Sequence, residues 1–396
     1  MKADNLRISK VFSSGGDIHY VLPHFQREFT WDKHEWKTLW DDALAVYGEM
    51  PQTESENVQS DNVEHFLGSI VVIHDGMRSG TVAAFKLVDG QQRLTSISLL
   101  LKALATTIDP THSALAKKID RLLVNDSEDG HLFFKILPTV KYGDRASYCA
   151  IIRGDTVPQN ESKIPAAFAY FCTVIANALA QESIIPDRFL QVVINAFQVV
   201  FVELDQKESP YRIFESLNAK GKPLTQADLV RNYVAMKLPA VRQEKVFTDS
   251  WRRAEDLLQE TRKVGRLPEL TAFLRHYLAM RTGILCDENH VYARFRDRAE
   301  KEFADTSAFE EELRTIARFA SHYDKLLRPD SIGDEELSQR LQRLNSLEIA
   351  TGYPFLLKVL DLYDSGVIAK SQFADVLCTL ENYMVRRYIV GSRRIS

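Results

Sequence analysis

AAFKLVDGQQRLTSISLLLKAL (83–104) hands over from strand to helix at its centre. AAFKLVDG (83–90) reads as a strand that ends at Asp89-Gly90. QRLTSISLLLKAL (92–104) reads as a helix, with Leu94, Ile97, Ser98, Leu101 and Leu104 on one face. Leu99 and Leu100 widen that face, which predicts a largely buried helix. Just upstream, VEHFLGSIVVIHDG (63–76) is a β-branched run closed by a turn at Asp75-Gly76. The two strands are expected to pair through the polar link from Met77 to Thr81.

Further along, residues 107–165 carry weaker patterns, and NDSEDG (125–130) reads as a loop. DRFLQVVINA (187–196) is helix-like and FQVVFVELD (197–205) is a strand. ESPYRIFESLNAKG (208–221) reads as a helix with Gly221 just past its end. Thr225 to Asp228 reads as a capping-box variant that opens the next helix. Beyond residue 240 the pattern is helical: WRRAEDLLQE, ELTAFLRHYLAM, FEEELRTIARFASHY, LSQRLQRLNSLEIA and FADVLCTLENYMVRRYIV. The expected fold class is α+β: a small mixed sheet with helices over 1–238, then an all-α helical bundle over 239–396. The chain stops at GSRRIS directly after a strong helix, so a natural chain cut at a linker is expected.

The 396 residues are 45% hydrophobic and 26% charged, as in an ordinary soluble protein. A net charge of −4 argues against a protein that coats nucleic acid non-specifically, because such binding runs on phosphate neutralisation. A local basic groove stays open. Cys149, Cys172, Cys286 and Cys378 form no CxxC pair and read as reduced thiols. MKADNLRISK has no apolar core of a signal peptide, and no run approaches the roughly 20 apolar residues of a membrane span. A cytoplasmic protein is expected.

Val88-Asp89-Gly90-Gln91-Gln92-Arg93-Leu94-Thr95 is the sharpest candidate site. A strand-to-helix turn presents unpaired N–H groups and the positive end of the helix dipole, which together favour phosphate. Gly90 lets the backbone pass close to a ligand. Arg93 can grip phosphate through its planar fork, Gln91 and Gln92 can donate to it or position water, and Asp89 can hold Mg²⁺. The ordinary alternative is a DG turn before a helix with a solvated arginine, and spacing alone leaves the two even. No GxxxxGK[ST] loop is present.

Pro23 to Trp31 (PHFQREFTW) repeats the Gln-Arg chemistry at Gln26 and Arg27, among Phe25, Phe29 and Trp31. Three of the four tryptophans, Trp31, Trp36 and Trp40, fall within ten residues. A hydrophobic staple for a helix starting near Asp32 explains Trp36 and Trp40, but not Gln26-Arg27. Aromatics beside an arginine also make a pocket for a base or a modified DNA backbone. FESLNAKGKPL (214–224) offers Asn218, Lys220 and Lys222 at a helix end, where simple capping is the stronger reading. His24, His65 and His74 show no paired metal spacing. No GxSxG, HNH or PD-(D/E)xK constellation appears.

FQREFTW (25–31), FLGSIVV (66–72), LVDGQQRLTSI (87–97) and IFESLNAKGKPLTQADLVRNY (213–233), in this order, resemble the DGQQR-motif family with a ParB/sulfiredoxin-like fold. That is the N-terminal domain of GmrSD-type modification-dependent restriction enzymes and of SspE-type phosphorothioation-linked defence proteins. The resemblance implies an anti-phage module that binds and hydrolyses an NTP, with GTP favoured and Mg²⁺ as cofactor, through Asp89, Gly90, Gln91, Gln92 and Arg93. Asp89 would be the metal ligand. The same resemblance assigns Gln26, Arg27, Asn218, Lys220 and Gly221 to the nucleotide pocket, with Arg231 keeping the charge of a frequent lysine. Phe25, Arg27, Phe29 and Trp31 are the candidates for sensing modified DNA: apolar and cationic groups together suit a phosphorothioate, and glucosylated or methylated bases stay open. Family members often continue into an HNH nuclease domain, which makes DNA and such a domain or subunit the expected partners. A homo-oligomer stays open. The alternative is a non-catalytic DNA-binding module of the same shape.

Overall fold

The computed structural model describes residues 2–13, 16–23, 26–50, 64–78, 82–127, 130–204, 225–238, 240–258, 267–347 and 350–390. The chain divides into two compact units, Met1–Pro223 and Leu224–Ser396. The helix Gln226–Lys237, which the 238/239 division places in the first domain, falls in the second unit. The architecture is α+β followed by a helical region.

The first unit holds one mixed six-stranded sheet. Its strands are β1 (Lys2–Arg7), β2 (Ile18–Val21), β3 (His65–Arg78), β4 (Val82–Asp89), β5 (Ile136–Leu137) and β6 (Phe197–Leu204), in the order β1-β6-β3-β4-β2-β5. β3 and β4 are antiparallel neighbours, with Val72 opposite Leu87. β3 does not stop at Asp75-Gly76. It runs on to Arg78, and the register shifts between His74 and Met77. The Asp-Gly pair therefore makes a bulge inside a longer strand, because β4 continues to offer partners at Ala83 and Val82. Ile70, Val71 and Val72 are fully buried in the centre of the sheet.

The helices of this unit are α1 (Ile8–Ser13), α2 (Lys33–Glu49), α3 (Gln91–Thr107), α4 (Ser113–Leu123), α5 (Asp144–Arg153), α6 (Ile164–Ala180) and α7 (Pro186–Gln191). α3 packs against α4, α5 and α6. Its residues Leu94, Ile97, Leu99, Leu100 and Leu104 are fully buried, as the unbroken apolar run predicts. α2 opens with a capping box: Asp32 accepts from His34 N–H and Glu35 accepts from Asp32 N–H. Trp36 and Trp40 lie in the core against Tyr170 and Phe189. The expected 187–196 helix breaks into α7 and a π-helical turn over Val192–Ala196, which feeds straight into β6.

The second unit is helical. Its longer helices are Gln226–Lys237, Glu269–Thr282, Val291–Glu302, Thr306–Leu327, Glu335–Ser346, Tyr353–Asp364 and Lys370–Ile389. Thr225 and Asp228 form the expected reciprocal capping box. Arg231 is buried between Asp228 and Glu255, and Trp251 donates to Glu255, so its charge is committed to a local ion-pair cluster. A second buried cluster joins Glu312 to Arg298 and to the Tyr277 hydroxyl. Buried charges persist only when paired and hydrogen-bonded in this way. The helix expected over 208–221 lies outside the described residues.

Candidate functional site

β4 ends at Asp89 and α3 begins at Gln91, with Gly90 between them at φ 92°. A side chain there would be strained by that φ. Its Cβ would also sit 2.9 Å from Ile70 Cγ1 and 3.1 Å from the Ser69 carbonyl oxygen. Glycine is thus required both by the turn and by the approach of β3. The first α-helical bond of α3 runs from Leu94 N–H to Gly90 O at 3.0 Å.

The three glutamines fasten the FQREFTW segment to this turn. Gln26 Nε2 donates to Val88 O at 2.8 Å. Gln91 Nε2 donates to Arg27 O at 3.2 Å. Gln92 Oε1 accepts from Thr30 N–H at 2.9 Å and Trp31 N–H at 3.2 Å, while its Nε2 donates to Glu28 O at 2.9 Å. All three side chains are buried. In this conformation their amides bond to main chain, because residues 26–31 have no ladder of their own to satisfy their backbone groups. The two Gln-Arg pairs are therefore brought together, but by glutamine-to-backbone bonds.

Arg93 points elsewhere. Its Nη2 donates to Ser69 O at 2.5 Å and to Asp89 Oδ2 at 3.1 Å, and Asp89 Oδ2 also accepts from Ser69 Oγ at 3.3 Å. Nε is buried with no hydrogen-bond partner among the described residues. Nη1 lies over Gly68, where a Cβ would come within 2.7 Å of it. Gly68 has φ +105°, at an irregularity in the pairing of β3 with β6. Arg93 is on the wall of a cleft of about 410 Å³, within the usual range for small-molecule sites. Trp31, just ahead of α2, and His34, Glu35 and Thr38 of its first turns contribute to the lining, and β3 supplies His65, Phe66 and Gly68. His65 Nε2 lies 3.2 Å from Asp42 Oδ2 across the same cleft.

Arg27, Phe29, Gln91 and Gln92 line a separate cavity of about 10 Å³ with Thr95 and Asp144, close to the room of one water molecule. Asp144 Oδ2 accepts from Phe29 N–H at 2.6 Å, and its other oxygen accepts from Ser162 Oγ at 2.5 Å. Burial pushes the Asp144 carboxyl up to about 6, against the pull of these two hydrogen bonds. Its proton is therefore held more tightly in the folded chain than in the unfolded one. The stability it contributes is full below the ordinary value of 3.8 and is lost as pH rises through about 6. We predict that unfolding free energy falls by up to about 3 kcal/mol across this window at 1.36 kcal/mol per pH unit, and that Asp144→Asn flattens the dependence. Denaturant melts at pH 4.5 and 7.5 check this; an unchanged slope in the variant would remove Asp144 as its source.

Of the residues expected to sense DNA, Phe29 is a core side chain and turns no surface outward in this conformation. Trp31 is half-buried on the cleft and Arg27 is half-buried at the small cavity. Phe25, Asn218, Lys220 and Gly221 lie outside the described residues. Sequence reasoning did not single out Gly68, Ser69, Asp42 or Asp144, and it set His65 aside for want of metal spacing. Gly68 had a readable signal, an isolated glycine inside the β-branched run FLGSIVV. The others had none, since their relevance comes from long-range placement. Among the described residues no cluster of three or more His, Cys, Asp or Glu is placed to hold a metal ion. The four cysteines are unpaired. No helix of the described residues is long and apolar enough to cross a membrane.

By comparison with known families, the part of the chain that holds the mixed sheet is a module of a restriction system. The family model described as GmrSD restriction endonuclease, N-terminal domain, matches residues 8–235, and the chain belongs to that family. No curated protein matches the chain.

Proposed function

We propose that this chain is the NTP-hydrolysing regulatory module of a GmrSD-type restriction system, which senses modified DNA and controls a nuclease domain or subunit. The observation that carries the reading is Arg93. Its guanidinium stands at the wall of a ligand-sized cleft, fixed through Nη2 alone, with no protein acceptor on Nε or Nη1 among the described residues. A half-satisfied guanidinium beside such a cleft fits an anionic ligand.

Asp89, the one carboxylate of the motif, is the residue that would hold Mg²⁺, which prefers one or two carboxylates plus phosphate oxygens and water. When bound, the ion neutralises charge on the phosphate chain. Asp89 and Ser69 orient Arg93, and Arg93 meets the charge that develops on the transferred phosphoryl group. The glutamine bonds hold residues 26–31 beside the turn, so a change at the turn is passed to that segment. Hydrolysis then serves as a switch between states of different affinity for DNA or nuclease. GTP is the favoured substrate on family resemblance, and phosphorothioate is one candidate modification beside glucosylated or methylated bases.

The test is hydrolysis of GTP and ATP by the purified chain with Mg²⁺, with no DNA, plain DNA and phosphorothioate DNA. Turnover that rises with one kind of modified DNA supports the reading. Absence of turnover in every arm leaves the non-catalytic DNA-binding module. Gly68→Ala is a sharper probe of the cleft, because the added methyl meets the Arg93 guanidinium. It is expected to weaken nucleotide binding about tenfold, or ~1.4 kcal/mol, by displacing Nη1. Titration with a fluorescent GTP analogue reads the change, and unaltered affinity would place the nucleotide elsewhere.

A further inference from the structure

The turn between β5 and α5 shows an aromatic that the functional reading does not use. Tyr142 is 47% exposed and adopts φ 51°, ψ 13°. Only Tyr142 and Glu182 among the described non-glycine residues have positive φ. A bulky residue held there costs roughly 1–2 kcal/mol, and such strain persists only where the surroundings fix it. They do so here. Gly143 N–H donates to Val140 O at 3.3 Å, Arg145 N–H to Thr139 O at 2.9 Å, and Arg145 Nε to Pro138 O at 2.8 Å. Asn160 Nδ2 reaches Gly143 O at 3.4 Å. The ring is thus displayed outward from a braced turn, beside exposed Val140.

A cation adjoins it. Lys141 Nζ lies 5.4 Å from the Tyr142 ring centroid and 3.4 Å from Glu28 Oε2. Lys163 is exposed, and its Nζ reaches Thr30 O at 3.4 Å. Arg27 and Pro138 line the same small cavity. The turn therefore adjoins residues 27–30, and together they carry Lys141, Lys163 and Arg27 against the carboxyl groups of Glu28 and Asp144, the latter buried and bonded to Phe29 N–H and Ser162. An exposed ring beside lysines is the chemistry that grips a nucleic-acid strand: stacking for one base, ammonium groups for the flanking phosphates.

We propose that Tyr142 is the stacking platform for one unpaired base of DNA, with the exposed Lys163 on an adjoining phosphate and Lys141, paired with Glu28, bracing the ring from the side. This rests on the DNA-sensing part of the proposed function and names its contact residue. An ordinary duplex keeps its bases stacked inside, so the platform favours DNA with a splayed, mismatched or single-stranded position. Phe29 and Trp31 cannot supply that platform in this conformation, being a core residue and a half-buried cleft residue.

The test uses the full chain and a DNA duplex carrying one unpaired 2-aminopurine, with the fully paired duplex as control. The wild-type chain is expected to bind the unpaired probe more tightly and to quench its fluorescence by stacking. Tyr142→Asn suits the left-handed backbone, so its melting temperature stays level or rises, yet its affinity for the unpaired probe falls about 5- to 100-fold and the quenching disappears. Tyr142→Phe keeps both. Lys163→Ala keeps the quenching and lowers the salt dependence of binding by about one ion. Equal binding and quenching by Tyr142→Asn overturns the platform while leaving DNA sensing intact. A wild-type chain that binds neither probe overturns the platform and the DNA-sensing reading together. A fall in melting temperature that accounts for the lost affinity overturns it in favour of a structural role.

Discussion

Arg93→Ala is expected to lower NTP turnover by about 100- to 1,000-fold, the loss typical when one fixed donor to a developing charge is removed. The residue is well placed to have that effect. Asp89 and Ser69 hold its Nη2, so the guanidinium does not need to be ordered when the ligand arrives. Arg93→Lys keeps the charge but lacks the fork that meets Ser69 O and Asp89 together, so it is expected to recover only a small part of the rate. A steady-state phosphate-release assay with both variants decides the matter. Stability must be followed in parallel, because the substitution leaves Asp89 without its cation. Turnover that survives in Arg93→Ala would end the catalytic reading, whatever the melting temperature does.

Gln92→Ala is expected to give the largest loss of stability, about 2–4 kcal/mol, because one side chain satisfies three main-chain groups. For a unit of this size that corresponds to a fall in melting temperature of roughly 4–16 °C. The amides of Thr30 and Trp31 should lose hydrogen-exchange protection first, since Gln92 Oε1 is their acceptor. Gln92→Glu discriminates between roles. It can still accept from both N–H groups, but it cannot donate to Glu28 O, so it should fall between wild type and alanine in stability. A Gln92→Ala chain as stable as wild type, but without turnover, would make the residue chemical and not architectural.

These two expectations divide the motif. Arg93 would carry the ligand chemistry of the proposed function, and the glutamines carry the connection between the turn and residues 26–31. The connection also reaches Asp144, whose carboxyl accepts the Phe29 N–H. Disturbance at the turn is therefore expected to be felt at the surface where Lys141, Tyr142 and Lys163 stand, through residues 27–30.

Local sequence determined a good deal. The strand-to-helix handover at Asp89-Gly90 is written in a strand run closed by Asp-Gly and followed by apolar residues at helical spacing, and it falls where expected. The β3–β4 pair, β6, the caps at Asp32 and Thr225 and the helical run beyond residue 240 are likewise local matters of propensity and turn chemistry. The extent of β3 was not, because only the presence of β4 alongside turns Asp75-Gly76 into a bulge. Nor was β1, whose residues KADNLR are mostly exposed and carry no apolar alternation; its pairing with β6 is what makes it a strand. The site divides in the same way. Its residue types were legible, but the destinations of Gln26, Gln91, Gln92 and Arg93 were not. Those depend on hydrogen-bond partners 24 to 64 residues away, brought near by a sheet order of β6-β3-β4-β2. Periodicity reports which face of an element is apolar, whereas the partner of a buried amide is set by which elements become neighbours, and that is decided only when the chain has folded.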